Sequence, residues 1–152
     1  MRLESSIFIE RSTEEVGLFL SEASNIPSWD RGVADVRQRS GAPLGAGSEF
    51  DTIAHDGPRD AQGNTGRMSY RIAETGNNYC RVQLISSDGN ARFFKDASWT
   101  FRLRPAGQGT LLECSVEFVL RLRYIVLAPM FLAMRGAITR DLKRLKVVME
   151  SS

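Results

Sequence analysis

The end of the chain constrains its fold most. From Tyr124 onward, large apolar side chains recur at Tyr124, Leu127, Phe131, Met134, Ile138, Leu142, Leu145 and Met149. Spacings of three and four put all eight on one face of a long helix. The opposite side carries Arg135, Arg140, Lys143, Arg144 and Lys146. Upstream, one segment after another alternates apolar with polar residues, the pattern of antiparallel strands with one covered face. A long amphipathic helix over a one-sided sheet encloses either packed core or a cavity. Burying eight large side chains contributes ~12–24 kcal/mol gross, an upper bound, so the helix is expected to dock on the sheet.

Residues 3–10 read as a first strand. Ser12 or Thr13 can cap a short helix that has Glu14 and Glu15 in its first turn and Val16, Phe19 and Leu20 on one side. Asn25, Pro27 and Trp29 mark a second helical turn or kinked connection. Strands are expected over residues 33–40, 47–55, 66–74, 79–88, 91–104 and 110–122. Gly41-Ala42-Pro43, Gly76-Asn77-Asn78, Asp88-Gly89-Asn90 and residues 105–109 supply turn chemistry between them. Residues 56–65 form a longer connection rich in flexible residues, which suits a mouth or lid better than a plain link. Alternation breaks at Phe93, Phe94, Lys95 and Asp96, so a bulge is expected there.

A length of 152 residues suits a single domain, residues 1–152, with a core of its own. The N-terminus has charges on both sides of a three-residue apolar cluster, unlike a signal peptide. The longest uncharged apolar run, residues 124–134, is too short to span a bilayer. The expectation is a cytoplasmic protein without stable membrane insertion. Residues 121–152 hold seven Lys/Arg against two Asp/Glu, although the whole chain carries only +2. Such a basic face suits anionic lipid or nucleic acid, but the plainer reading is a solvated helix face. It lacks the interleaved exposed aromatics of a single-strand binder, so no nucleic acid partner is expected. In simple meander order, Cys80 and Cys114 fall on strands separated by a third, about 9.5 Å apart and beyond disulfide reach. Both are read as buried, reduced thiols. Long sheet edges leave room for a homodimer.

Four stretches, in this order and spacing, carry a resemblance: IFIERSTEEVGLFLSEASNIPSW, GAPLGAGSEF, GRMSYRIAET, and GTLLECSVEFVL followed by the helix to DLKRLK. Together they resemble the START-related, birch-pollen-allergen-like SRPBCC superfamily, and within it the polyketide cyclase/dehydrase-like branch. The resemblance implies an α+β helix-grip fold. That is a seven-stranded antiparallel sheet wrapped around a long C-terminal helix, with two short helices between the first and second strands. It usually implies a hydrophobic pocket as well. Gly76-Asn77-Asn78 stands where many relatives have a Pro-containing turn, which weakens transfer of any specific function but not of the fold.

Strand parity sorts the faces. Phe50, Thr52 and Ala54 should point inward, as should Met68, Tyr70 and Ile72; Val82, Leu84 and Ser86; and Trp99, Phe101 and Leu103. Leu112, Cys114, Val116, Phe118 and Leu120 complete that face. Small or polar residues among large ones, at Thr52, Ala54, Tyr70, Ser86 and Cys114, fit a pocket with a few placed polar groups. The plainer reading has Thr52 and Ser86 bonded to backbone and Tyr70 reaching the rim. Taken with the resemblance, the expected cavity lies between sheet and C-terminal helix. Its expected lining is Phe50, Thr52, Met68, Tyr70, Leu84, Ser86, Trp99, Phe101, Cys114, Val116, Phe118, Leu127, Phe131, Met134 and Ile138. Trp99 could form an aromatic wall, whereas Trp29 is expected to close one end of the sheet rather than touch ligand.

Most catalytic constellations are missing. A single histidine, His55, excludes a two-histidine metal site, and there is no HExxH, CxxC, GxSxG or phosphate-cradling loop. No metal or cofactor is expected, and His55 is read as solvent-facing. Glu49, Asp51, Glu113 and Glu117 fall on the outer face. Tyr70, Arg92, Lys95 and Asp96 remain as weak catalytic candidates, the last three more simply read as solvated charges on a bulge. The leading function is binding or carriage of a hydrophobic small molecule (a lipid, quinone or polyketide-like compound), and the sequence leaves open whether turnover follows. The alternatives are a polyketide cyclase or dehydratase, whose positioning of reactive atoms can lower a barrier by ~7–11 kcal/mol, and an interaction module using the basic C-terminal helix.

Overall fold

Alternation along the sequence becomes pairing along the whole chain. In the computed structural model, which describes residues 1–39, 44–86 and 89–151, seven strands form one antiparallel sheet. They are β1 (Arg2–Ile9), β2 (Val33–Gln38), β3 (Glu49–Ala54), β4 (Met68–Gly76), β5 (Tyr79–Leu84), β6 (Phe94–Ala106) and β7 (Gly109–Leu120). Their order, β1-β7-β6-β5-β4-β3-β2, is a meander closed by the return of β1 beside β7. The inward rows match the parity argument. One runs Leu3, Val116, Trp99, Val82, Ile72 across five strands. A register shift between Phe94 and Asp96 marks the expected bulge. The chain before it is a 3₁₀ helix, Gly89–Phe93, rather than the start of a strand. The turns expected at residues 41–43 and at Asp88 lie outside the described residues.

Between β1 and β2 lie α1 (Thr13–Ser21), a 3₁₀ turn (Ala23–Asn25) and α2 (Ile26–Trp29). Ser12 caps α1 by accepting the Glu15 N–H at 3.2 Å, and Val16 is fully buried. The hairpin from β6 to β7 passes tightly under β1. A Cβ on Gly109 would stand 2.5 Å from the Ile9 carbonyl oxygen, so only glycine fits there.

The C-terminal run is not one long helix. It comprises a 3₁₀ helix (Leu122–Leu127), α3 (Ala128–Leu132) and α4 (Arg135–Glu150), with a bend of 53° between Leu122–Leu132 and Arg135–Glu150. The joint at Ala133 and Met134 carries short-range bonds from Met134 N to Phe131 O and from Gly136 N to Ala133 O. Upstream, Pro129, which has no N–H to donate, sits in the first turn of α3 and marks the change from 3₁₀ to α-helix. Of the eight stripe residues, Phe131, Leu142, Leu145 and Met149 are buried. Tyr124, Leu127 and Ile138 are half-buried, and Met134 is exposed. Full burial of four rather than eight halves the expected gain to ~6–12 kcal/mol. Leu142, Leu145 and Met149 join Ile9, Leu112 and Val116 in the main core, so α4 meets the sheet in solid packing.

The connection over residues 56–65 departs from the mouth or lid expected of it. Asp60 accepts the backbone N–H groups of Gln62 and Asn64 at 3.0 and 2.9 Å, folding the loop on itself. Arg67 then bridges Asp60 (3.0 Å) to Asp51 (3.7 Å), which also binds Arg39 at 2.8 Å. The loop is thereby tied to the outer face of the sheet, and none of its residues lines the cavity under α1 and α2.

Candidate functional site

The inner face of β3–β6 is more deeply concave than α1 and α2 can fill. A cavity of about 330 Å³ remains between them, at the small end of the ~300–1,000 Å³ typical of ligand sites. Its apolar walls are Leu20, Ile26, Trp29, Val33, Leu44, Phe50, Ile72, Val82, Trp99, Phe101 and Leu103. Exposed Thr75, Gly76 and Asn78 of the β4–β5 turn rim its mouth. Asn78 takes a positive φ of 59°, which asparagine tolerates in a tight turn, and its carbonyl accepts the Leu103 N–H at 2.8 Å. No residue of the C-terminal segment lines this space. The cavity therefore lies under α1 and α2, not under the C-terminal helix as the sequence led one to expect.

Tyr70 organises the interior. Its ring stacks on Phe50 (centroids 5.4 Å apart, 25° between planes) and meets Trp99 edge-on at 5.3 Å. Burial raises the hydroxyl's pKa far above the tyrosine norm; a hydrogen bond with Thr52 lowers it, and the nearby charge of Asp30 raises it. The phenol stays protonated and acts as a donor. Its hydroxyl also lies 3.5 Å from the Met68 sulfur.

Asp30, at the end of α2, is the carboxylate of the site. Burial raises its pKa, against the Gly32 N–H it accepts at 2.9 Å and the charge of Arg144. Across the gap to α4 stands Asp141, raised to about 6 by burial and then by the charge of Asp30. The Arg31 N–H (3.5 Å), Arg144 and Arg140 oppose that rise. The charge of Asp30 thus makes it harder for Asp141 to ionise beside it.

Among the lining residues expected from sequence, Phe50, Thr52, Tyr70, Trp99 and Phe101 come together in the cavity. The others do not line it. Leu84, Cys114, Val116, Phe118 and Phe131 are packed core, because the inner face near β7 is covered by α3 and α4 instead of the short helices. Leu127 and Ile138 pack half-buried on that core, Met68 stands beside Tyr70, and Met134 is turned out by the joint before α4. Ser86 accepts the Ser69 N–H at 3.1 Å, its plainer role. Arg92, Lys95 and Asp96 are exposed: Arg92 lies 5.0 Å over the Phe93 ring, and Asp96 accepts from Gln83. These charges do not converge on Tyr70. His55 is exposed.

Sequence reasoning missed Asp30 and understated Trp29, which lines the cavity as well as packing on the core. The available signal was an acid at the C-terminal end of a helical turn, where the backbone dipole disfavours it. Cys80 and Cys114 are free thiols on β5 and β7 with β6 between them. Cys114 is buried, with its pKa pushed up to about 12, whereas Cys80 is only half-buried and reaches the cavity. A second hollow, about 420 Å³ along β1 and β7, is lined by Arg2, Glu4, Arg102, Glu113 and Arg135. An apolar guest there would strip water from those charges.

A meander closed by its first strand, two short helices over one end and a terminal helix over the other define the START/Bet v1-like helix-grip proteins. Within that class the chain belongs to the family described as polyketide cyclase/dehydrase and lipid transport, whose model matches residues 1–150. Solved structures agree on the fold. The Zhui aromatase/cyclase from Streptomyces sp. R1128 superposes with a TM-score of 0.78 at 12% identity, covering 99% of this chain and 93% of that one. A START superfamily protein from Mycobacterium smegmatis gives 0.75 at 18% identity, covering 99% and 97%. Norcoclaurine synthase from Thalictrum flavum, a point mutant with a transition state analogue, gives 0.74 at 13%, covering 99% and 94%. No curated protein matches the chain by sequence.

Proposed function

We propose that this protein binds a small, mostly apolar, ring-containing molecule in the cavity under α1 and α2. One polar group of the guest would accept a hydrogen bond from Tyr70. The observation that carries this reading is the Phe50-Tyr70-Trp99 wall with a protonated phenol at its centre. Such a surface suits flat rings, and its single buried donor selects for a carbonyl or hydroxyl at one end. The modest volume favours a quinone or a compact polyketide-like ring system over a two-chain lipid. Trp29 and Trp99 both line the space, so binding should quench tryptophan fluorescence. Titration with naphthoquinones, aromatic polyketide-like ketones and fatty acids tests this. Saturable quenching by the ring compounds, lost in Tyr70→Trp (which fills the cavity), is expected. The absence of quenching and of bound mass in native mass spectrometry across the panel would count against the reading.

A second reading is favoured by the Asp30–Asp141 pair. A carboxyl group whose pKa lies nearer neutrality can exchange a proton with a bound ketone. Asp30 would remove a proton from carbon next to one carbonyl while Tyr70 holds that carbonyl's oxygen. The resulting enolate carbon would close a ring on a second carbonyl of the same molecule, and loss of water would complete the condensation. The likeness in fold to an aromatase/cyclase supports this chemistry without establishing it. Ring closure of a poly-β-keto thioester by the wild type and not by Asp30→Asn, with guest binding retained, is the discriminating result.

A further inference from the structure

Seven of the eleven large hydrophobic side chains exposed among the described residues fall between Val119 and Met134. Leu122 is 84% exposed, Val126 78%, Ile125 60% and Met130 56%. The same stretch is apolar on its inner side. Tyr124 packs edge-on against Phe93 at 4.9 Å, and Phe131 lies 5.3 Å from Phe94. A helical segment apolar all round belongs between two apolar media, and the fold supplies only one of them. Charge identifies the other. From Glu117 to Asp141 the sequence holds no acidic residue between these two, but has Arg121, Arg123, Arg135 and Arg140.

We propose that this segment docks the protein on a bilayer surface bearing anionic headgroups. Leu122, Ile125, Val126 and Met130 would enter the headgroup–acyl boundary to a depth of ~5–10 Å, with the exposed Arg123 and Arg135 meeting lipid phosphates. A second copy of the chain fits this face poorly, because a two-fold contact would set one arginine rim against the other. A transmembrane span does not fit either. Among the described residues no single helix is long and apolar enough to cross, and the following helix α4 bends away by 53° into the core. The segment lies far from the cavity mouth. Arg121 donates its backbone N–H to Phe93 beside the start of β6, while Arg102, eight residues after Phe94, pairs with Tyr79 at the mouth. That is about 26 Å of strand, so docking leaves the mouth in water.

The test is cosedimentation of the full chain with vesicles of phosphatidylcholine, alone or mixed equally with phosphatidylglycerol, at low and high salt. The protein is expected to pellet with the anionic vesicles, less so as salt rises, and hardly with the neutral ones. Arg123→Gln and Arg135→Gln should each weaken that binding about fivefold. Leu122→Glu with Val126→Glu should abolish it at unchanged Tm, since both side chains stand in solvent. No pelleting with anionic vesicles at low salt overturns the proposal. So does a double glutamate variant that pellets like the wild type. A wild-type dimer that the double variant converts to monomer, with no vesicle binding in either, would assign the face to a second copy instead.

Discussion

Tyr70 is held by two aromatic rings, bonds Thr52 and donates its hydroxyl proton weakly to the Met68 sulfur at 3.5 Å, a bond that a guest's carbonyl would replace. Removing that hydroxyl should change affinity more than shape. Tyr70→Phe is expected to weaken a guest with a terminal carbonyl about three- to tenfold, the worth of one buried hydrogen bond, and to leave a hydrocarbon analogue unaffected. Fluorescence titration of the pair separates the two. Asp141 makes a different statement, about stability. Its folded pKa, about 6, exceeds the ordinary 3.8, so between those values the folded protein holds a proton that the unfolded chain has released. Stability conferred at that site is present at low pH and falls as pH rises through this window. Asp141→Asn keeps an oxygen for the Arg31 N–H without the charge. Its Tm should exceed that of wild type at neutral pH, and the difference should close on acidification towards pH ~4. A constant offset across that range would mean that Asp141 has no raised pKa.

The C-terminal segments show what periodicity can and cannot tell. The spacing of three from Tyr124 to Leu127, and again from Phe131 to Met134, fits an α-helix, but it fits a 3₁₀ turn as well. Both occur at these places, and apart from Met134, turned out at the joint, the stripe keeps its inward face through the bend. The apolar face was therefore legible while the break was not. Pro129 was the local sign of the change from 3₁₀ helix to α3, and the joint after Leu132 left no such sign in the stripe. The two limbs differ in worth. Leu145→Ala, at a fully buried site on α4, should cost about 2–5 kcal/mol. Met134→Ala, in the same stripe by spacing but 41% exposed, should stay within about 0.5 kcal/mol. Chemical denaturation of both variants checks the contrast. Strand faces were legible almost completely, because a two-residue period has no competing structure over segments this long. The bulge at Phe94 was legible for the same reason: it is where the period fails.

Across the molecule as a whole, the sheet has two coverings, and they do different jobs. Over β7 and β1 the terminal segments make dense core; over β3 to β5 the short helices leave space. The sequence specified both apolar surfaces but not the distance between them, since period reports which way a side chain points and not what it meets. Asp30 escaped notice for a related reason. It lies in a connector too short to have a period, and its neighbourhood is made by α4, over a hundred residues away in sequence. If the space holds a guest, filling it should stabilise the whole fold. At a guest concentration a hundred times Kd the gain is about 2.7 kcal/mol, or a rise in Tm of roughly 5–10 °C. Thermal unfolding with and without the best ligand from the fluorescence panel measures it, and Tyr70→Trp should show no rise.

Because α4 lines none of the chamber and acts on it through the charges of Asp141 and Arg144 beside Asp30, the part that clamps the fold and most of the wall that would choose its contents are separately adjustable. Residues 13–30 could be exchanged for those of another helix-grip protein, altering what is admitted while the terminal clamp stays in place. Drift in those two short helices offers an economical route by which one scaffold acquires many different cargoes.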